Sequence, residues 1–168
     1  MSGIYYIYDK HGIANAAQDR GGKQYRVRVE TLIVKDGKVY LYKTGKLNQY
    51  GRYYKIPGGG VEPGLSLAES AKKECREECR MIVGNMKRAG EYITEYKQIP
   101  EWHKEILWPL GLKYSGAITY VFIAQYKKPF VGYIRKQDIE PGMVQGGKWY
   151  DLDDYDLSDI HRKALSTL

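Results

Sequence analysis

Apolar and polar positions change rhythm several times along the chain. "IYYIY" (4–8) is a short aromatic strand candidate, and a polar, glycine-containing segment ending in "DRGGK" follows it. "YRVRVETLIV" (25–34) begins with alternation and finishes as an apolar run, and "KVYLYK" (38–43) follows the pair Asp36-Gly37. Two strand patterns joined by Asp-Gly predict a β-hairpin. Alternation sets Arg26 and Arg28 on one face of its first strand and Val27 and Val29 on the other. "RYYKIP" reads as a short strand stopped by Pro57, after which Gly58, Gly59 and Gly60 open a loop that lets backbone approach a ligand closely.

The period then lengthens. Ser66 followed by Glu69 forms a capping box, which predicts a helix from about Leu67. No glycine or proline interrupts it before Gly84, the expected C-cap. Leu67, Ala71, Cys75 and Ile82 make an apolar stripe, with Lys72, Arg76 and Arg80 on the solvent side. Further strands are expected near 89–96, at "AITYVFIAQY" (117–126) and at "KWYDL" (148–152), with a long connection over 97–113. "SDIHRKALSTL" closes the chain as a helix capped by Ser158 or Asp159. Strands on both sides of a central helix, plus a terminal helix, predict an α+β or α/β fold in which helices sandwich a mixed β-sheet. A chain of 168 residues without repeats or a linker is read as one domain, 1–168, with 1–24 as an N-terminal extension.

Charge narrows the partners only a little. Lys plus Arg is 27 and Asp plus Glu is 20, so the formal charge is 27 − 20 = +7. Such a chain attracts anions, nucleotides and nucleic acid among them, although solubility accounts for the charge equally well. Tyr 17 against Phe 2 suggests many half-buried ring positions whose hydroxyls reach a partner. Cys75 and Cys79 stand four apart on the expected helix and are read as reduced thiols, while His11, His103 and His161 are scattered and form no zinc-type cluster. The N-terminus lacks a signal-peptide pattern, and no apolar run approaches the ~20 residues of a membrane span. These features point to a cytoplasmic, membrane-free protein.

The predicted helix carries the chemistry. Glu74, Glu77 and Glu78 stand at i, i+3 and i+4, which gathers three carboxylates on one face. A run of charges on a helix is ordinarily a solvated face. Here a glycine loop and the helix N-terminus, both suited to phosphate, immediately precede it. Clustered carboxylates suit Mg²⁺, which uses a few protein oxygens together with waters and substrate phosphates. The combination points to hydrolysis at a phosphate ester or anhydride.

In this stretch the sequence resembles the Nudix hydrolases, whose signature runs Gly, five residues, Glu, seven residues, Arg-Glu-hydrophobic, one residue, Glu-Glu, one residue, Gly-hydrophobic. Gly59 starts the match, which reaches Met81 without gaps. Leu65 stands where the signature has its first Glu, Lys73 where it has Arg, and Arg80 where it has the closing Gly. The resemblance implies that Glu74, Glu77 and Glu78 hold Mg²⁺, with Mn²⁺ as a substitute, and that Glu77 and Glu78 take part in catalysis. It gives Lys73 a supporting role, orienting Glu77 at i+4 with one charge but no bidentate fork. The order of elements follows the Nudix fold over about 25–168, while 1–24 match nothing.

The family often adds an acidic residue before the late tryptophan strand, which makes Glu140 the first candidate for general base and Asp138 the second, with Glu101 and Glu105 in reserve. Gly58, Gly59, Gly60, Arg28 and Arg52 are candidate phosphate contacts, as are Arg26, Lys43 and Lys55. Trp102 is a candidate base-stacking residue, although Trp102 and Trp108 serve as well as anchors of the 97–113 segment. The implied substrate is a nucleoside diphosphate linked to another group, and RNA and a homodimer stay open. A catalytically weak module that binds nucleotide or RNA is the alternative, supported by the departures at 65, 73 and 80.

Overall fold

The computed structural model describes residues 3–9, 11–43, 54–96, 114–132, 147–152 and 159–168. In chain order the elements are β1 (Tyr5–Tyr8), β2 (Ala14–Arg20), β3 (Lys23–Lys35), β4 (Lys38–Lys43), β5 (Tyr54–Lys55), β6 (Gly58–Gly60), α1 (Leu67–Cys79), β7 (Met81–Glu95), β8 (Gly116–Pro129), β9 (Gly147–Asp151) and α2 (Asp159–Leu165). The strands form a nine-stranded sheet organised around β3. β3 runs parallel to β8, from Tyr25 opposite Gly116 to Val34 opposite Gln125, and antiparallel to β2, β4 and β6. The predicted 25–43 hairpin is therefore present, turning at Asp36 and Gly37 with φ of 49° and 74°.

Alternation along β3 decides which helix each residue meets. Val27, Val29, Ala71, Ile118 and Phe122 form one cluster beneath α1. Leu32, Val39, Leu41, Val121 and Ile123 form another, closed by Ala164 and Leu165 of α2. One sheet between two helices is the predicted mixed sandwich, and burial of its two apolar faces supplies the main driving force.

Four expectations need correction. Gly58, Gly59 and Gly60 do not open a loop but form β6, held extended by pairing with Arg28, Val29 and Glu30 of β3. α1 stops at Cys79 instead of running to Gly84, because Arg80 adopts the left-handed conformation (φ 54°, ψ 43°) and its N–H bonds back to Arg76 O at 3.1 Å. Gly84 is consequently not a C-cap, and Ile82 lies in β7 and not on the helical stripe. β7 begins at Met81 rather than near 89, since register shifts at 82/83, 84/87 and 88/90 break the alternation that would have revealed it. β2 went unrecognised because "ANAAQDR" has no β-branched or aromatic residue, yet pairing with β1 and β3 holds it extended.

Candidate functional site

The three glycines of β6 pair with Arg28, Val29 and Glu30 of β3, and each faces a different neighbour. A Cβ on Gly58 would stand 2.9 Å from Glu30 Cγ, and one on Gly59 only 2.6 Å from both the carboxyl carbon and Oε1 of Glu74. A Cβ on Gly60 would lie 3.3 Å from Nη2 of Arg26. β6 is thus glycine because it threads between side chains. Alternation along β6 puts the α1 carboxylates against Gly59 on one face of the sheet, and Glu30 and Arg26 of β3 against Gly58 and Gly60 on the other.

The capping box fixes the start of α1. Ser66 Oγ accepts from Glu69 N at 3.0 Å and Ser66 N donates to Glu69 Oε2 at 2.9 Å. Buried Ala71 and Cys75 then set the helix rotation. That rotation brings Glu74 and Glu78 together at the sheet edge, where Tyr42 of β4 donates a hydrogen bond to Glu78 Oε2. Burial, followed by the charge and hydrogen bond of Glu78 and the charge of Glu77, pushes the Glu74 pKa up to about 8. Glu77 faces Lys73, whose Nζ lies 2.5 Å from Glu77 Oε1 and 2.9 Å from Glu62 Oε1. Burial alone would lower the Lys73 pKa, but these two carboxylates hold it above the ordinary lysine value. Lys73 therefore sits beside Glu77 as the i+4 spacing predicted.

Among the described residues, no three carboxylate, histidine or cysteine side chains are gathered closely enough to hold a metal as they stand. Glu74 and Glu78 share a hydrogen bond while Lys73 draws Glu77 aside. The donor chemistry nevertheless fits a hard cation: like-charged carboxylates are half-buried at one edge, and one is driven towards its neutral form. A divalent ion would replace the proton that this crowding demands.

The thiols are not part of this chemistry. Cys75 and Cys79 are free and buried, and burial pushes the Cys75 thiol up to about 12 and Cys79 higher still. Glu140, Asp138, Arg52, Trp102, Trp108, Glu101 and Glu105 lie outside the described residues. Sequence reasoning missed Glu62 and Tyr42. Glu62 is a loop residue eleven positions from Lys73, with no periodic relation to the helix. Tyr42 does have a signal, because alternation along 38–43 puts it on the same face as Tyr40, the face that meets α1.

Comparisons with known proteins give the family and the fold. A family model described as the Nudix domain matches residues 24–168. The search of curated proteins finds no match. Among solved structures, a MutT Nudix hydrolase from Burkholderia pseudomallei is 21% identical at a TM-score of 0.58, covering 86% of this chain and 98% of that one. A UDP-X diphosphatase is 18% identical at 0.53, covering 83% of this chain and 59% of that one. A Bacillus subtilis pyrophosphohydrolase is 18% identical at 0.50, covering 92% and 80%. The domain match, extending over most of the chain and including the glycine strand and the glutamate helix, places this protein in the Nudix family of hydrolases, enzymes that act on phosphoric anhydrides.

Proposed function

We propose that the chain hydrolyses the pyrophosphate bond of a nucleoside diphosphate linked to a further group, with Mg²⁺ as cofactor. ADP-ribose or another nucleotide sugar, a dinucleoside polyphosphate, a nucleoside triphosphate and a capped RNA end all fit that description. The observation that carries the reading is the contact of Glu74 with Gly59, which sets the carboxylates of α1 directly against a strand that has no side chains. A phosphate chain laid on the α1 face of β6 would meet the carboxylates there, and Arg26 and Arg28 on the far face would add long-range attraction. Relatives of the same fold carry the names UDP-X diphosphatase and pyrophosphohydrolase.

Glu74, Glu77 and Glu78 would hold the cation, which when bound activates water and neutralises charge developing on the phosphates. The chain's own residues then have separable tasks. The glycines admit a phosphate to the backbone, and Arg26 and Arg28 attract it. Lys73 orients Glu77, and Tyr42 holds Glu78 in place. Glu140 is proposed as general base. A panel of these substrates, assayed with and without Mg²⁺, tests the reading: metal-dependent cleavage that Glu78→Gln abolishes is expected, and cleavage of none of them with either Mg²⁺ or Mn²⁺ sinks it.

A second reading has its own support. Exposed Lys35, Lys38, Lys127 and Lys128 cluster at one end of the sheet. Lys35 Nζ lies 4.9 Å from the Tyr126 ring centre and 5.9 Å from that of Trp149. Cations interleaved with aromatic rings suit a single-stranded polynucleotide. A module that binds RNA without cleaving it would keep this end and show no Mg²⁺-dependent turnover.

A further inference from the structure

His161, one of the scattered histidines, is buried at 4% exposure on α2. Its Nε2 is hydrogen-bonded to Glu30 Oε2 at 2.7 Å, and Tyr92 Oη donates to Glu30 Oε1 at 2.7 Å. The Tyr92 and His161 rings meet edge to face at 5.7 Å and 80°. Glu30 itself is only 8% exposed. An anionic carboxylate is retained at such a place only when its oxygens are satisfied, and α2 and β7 each satisfy one.

The position of Glu30 gives this network a second end. Glu30 pairs with Gly58 across β3 and β6, and the space in which a Gly58 side chain would stand is taken by the Val29 carbonyl oxygen, the nearer atom, and by Glu30 Cγ at 2.9 Å. The next amide, Thr31 N, donates to Pro57 O at 2.9 Å. Ile56, two residues before Gly58, is buried in the same cluster as Ala164 and Leu165 of α2. α2 thus reaches β6 by a polar route through Glu30 and an apolar route through Ile56. On its other side β6 meets Glu74 at Gly59, so any shift of Gly58 is passed to the carboxylate cluster.

We propose that the buried Glu30–His161 pair makes the C-terminal helix a positioning element for the carboxylate edge, holding β6 in the gap between Glu30 and Glu74. His161 touches neither phosphate nor metal in this scheme and acts only through Glu30. Removing it leaves Glu30 with one partner fewer and with Arg28 two residues away on the same face of β3. Glu30 then turns along the strand towards Arg28, and the side-chain part of the wall behind Gly58 is lost, leaving the Val29 carbonyl alone against β6.

Amide hydrogen exchange in the full chain tests this without relying on turnover. In His161→Leu, exchange over 56–61 should accelerate at least tenfold while β1 and β2 exchange as in wild type. His161→Gln, which keeps an N–H to offer Glu30, should restore most of the protection. The inference assumes that the Glu74 edge is the reacting site, so Mn²⁺ affinity is followed in parallel, and His161→Leu should weaken it at least threefold. If wild type binds no Mn²⁺, the metal reading falls, and the exchange data still decide the coupling. Faster exchange confined to α2, or spread evenly over the sheet, overturns the proposal. Should His161→Leu fail to fold, Tyr92→Phe decides: local acceleration at 56–61 supports the coupling and unchanged exchange there overturns it.

Discussion

Gly59 and Glu74 show how single residues set the character of the edge. A methyl group at Gly59 would stand 2.6 Å from the Glu74 carboxyl carbon, so the Glu74 carboxyl must swing away from β6. Gly59→Ala should cost at most about 1 kcal/mol of stability, the low end for overpacking, because a side-chain end can give way, and displacement of the Glu74 carboxyl should lower turnover in the same preparation. Thermal melts and a hydrolysis assay check both effects. Glu74→Gln tests the opposite sense. The neutral amide removes the repulsion from Glu78 and Glu77 that helps push the Glu74 pKa up to about 8. Without metal the variant should therefore melt at or above the wild-type temperature, while the stabilisation by Mg²⁺ and nucleotide shrinks and turnover falls. A variant that is less stable than wild type yet equally stabilised by Mg²⁺ would refute the metal role of Glu74.

Elements add constraints that individual side chains do not carry. α1 ends because Arg80 takes a left-handed backbone, which costs an L-residue with a Cβ roughly 1–2 kcal/mol. The Nudix signature has glycine at this position, and the local geometry supplies the reason. Arg80→Gly forfeits an exposed hydrogen bond from Nη1 to Gly132 O but relieves the backbone. A net gain of about 1 kcal/mol is expected, a rise of roughly 2–4 °C in Tm. The α2–β3 junction has a pH signature. Burial alone would raise the pKa of Glu30, but the hydrogen bond and charge of His161, with Arg28 and Tyr92, bring it below the ordinary carboxylate value. A depressed carboxylate contributes stability that is fully present above its unfolded pKa and is lost as pH falls through the lower folded one. Denaturant midpoints measured through that acid range should fall for wild type, and Glu30→Gln should flatten the fall.

At the scale of the whole molecule, the charge of +7 matters through its distribution. If the lysine end of the sheet engages RNA, affinity for a single-stranded oligonucleotide should drop with salt at a log–log slope of about −0.7 per phosphate contact. The double variant K127E/K128E should then reduce that slope by roughly 1.4, two contacts' worth, with affinity for a mononucleotide unchanged. Equal losses for both ligands would assign the lysines to general attraction. No helix among the described residues is long and apolar enough to cross a membrane.

The sequence by itself determined the features governed by local rules. Alternation and Asp36-Gly37 specify the hairpin, Ser66 with Glu69 specifies the start of α1, and the i, i+3, i+4 spacing puts Glu74, Glu77 and Glu78 on one face. Lys73 opposite Glu77 follows from the same period. Only the tertiary structure decided what depends on residues distant along the chain. β2 is a strand because β1 and β3 flank it, against its own composition. Arg80 ends the helix because the chain must turn there into β7, although no glycine is present. His161 finds Glu30 across 131 positions. Helical and strand periods encode which side of an element a residue occupies, whereas the neighbour it meets there is fixed by how sheet and helices stack. For that reason the glutamate face was legible in the sequence, and its contact with Gly59 and the anchoring of Glu30 on the far face were not.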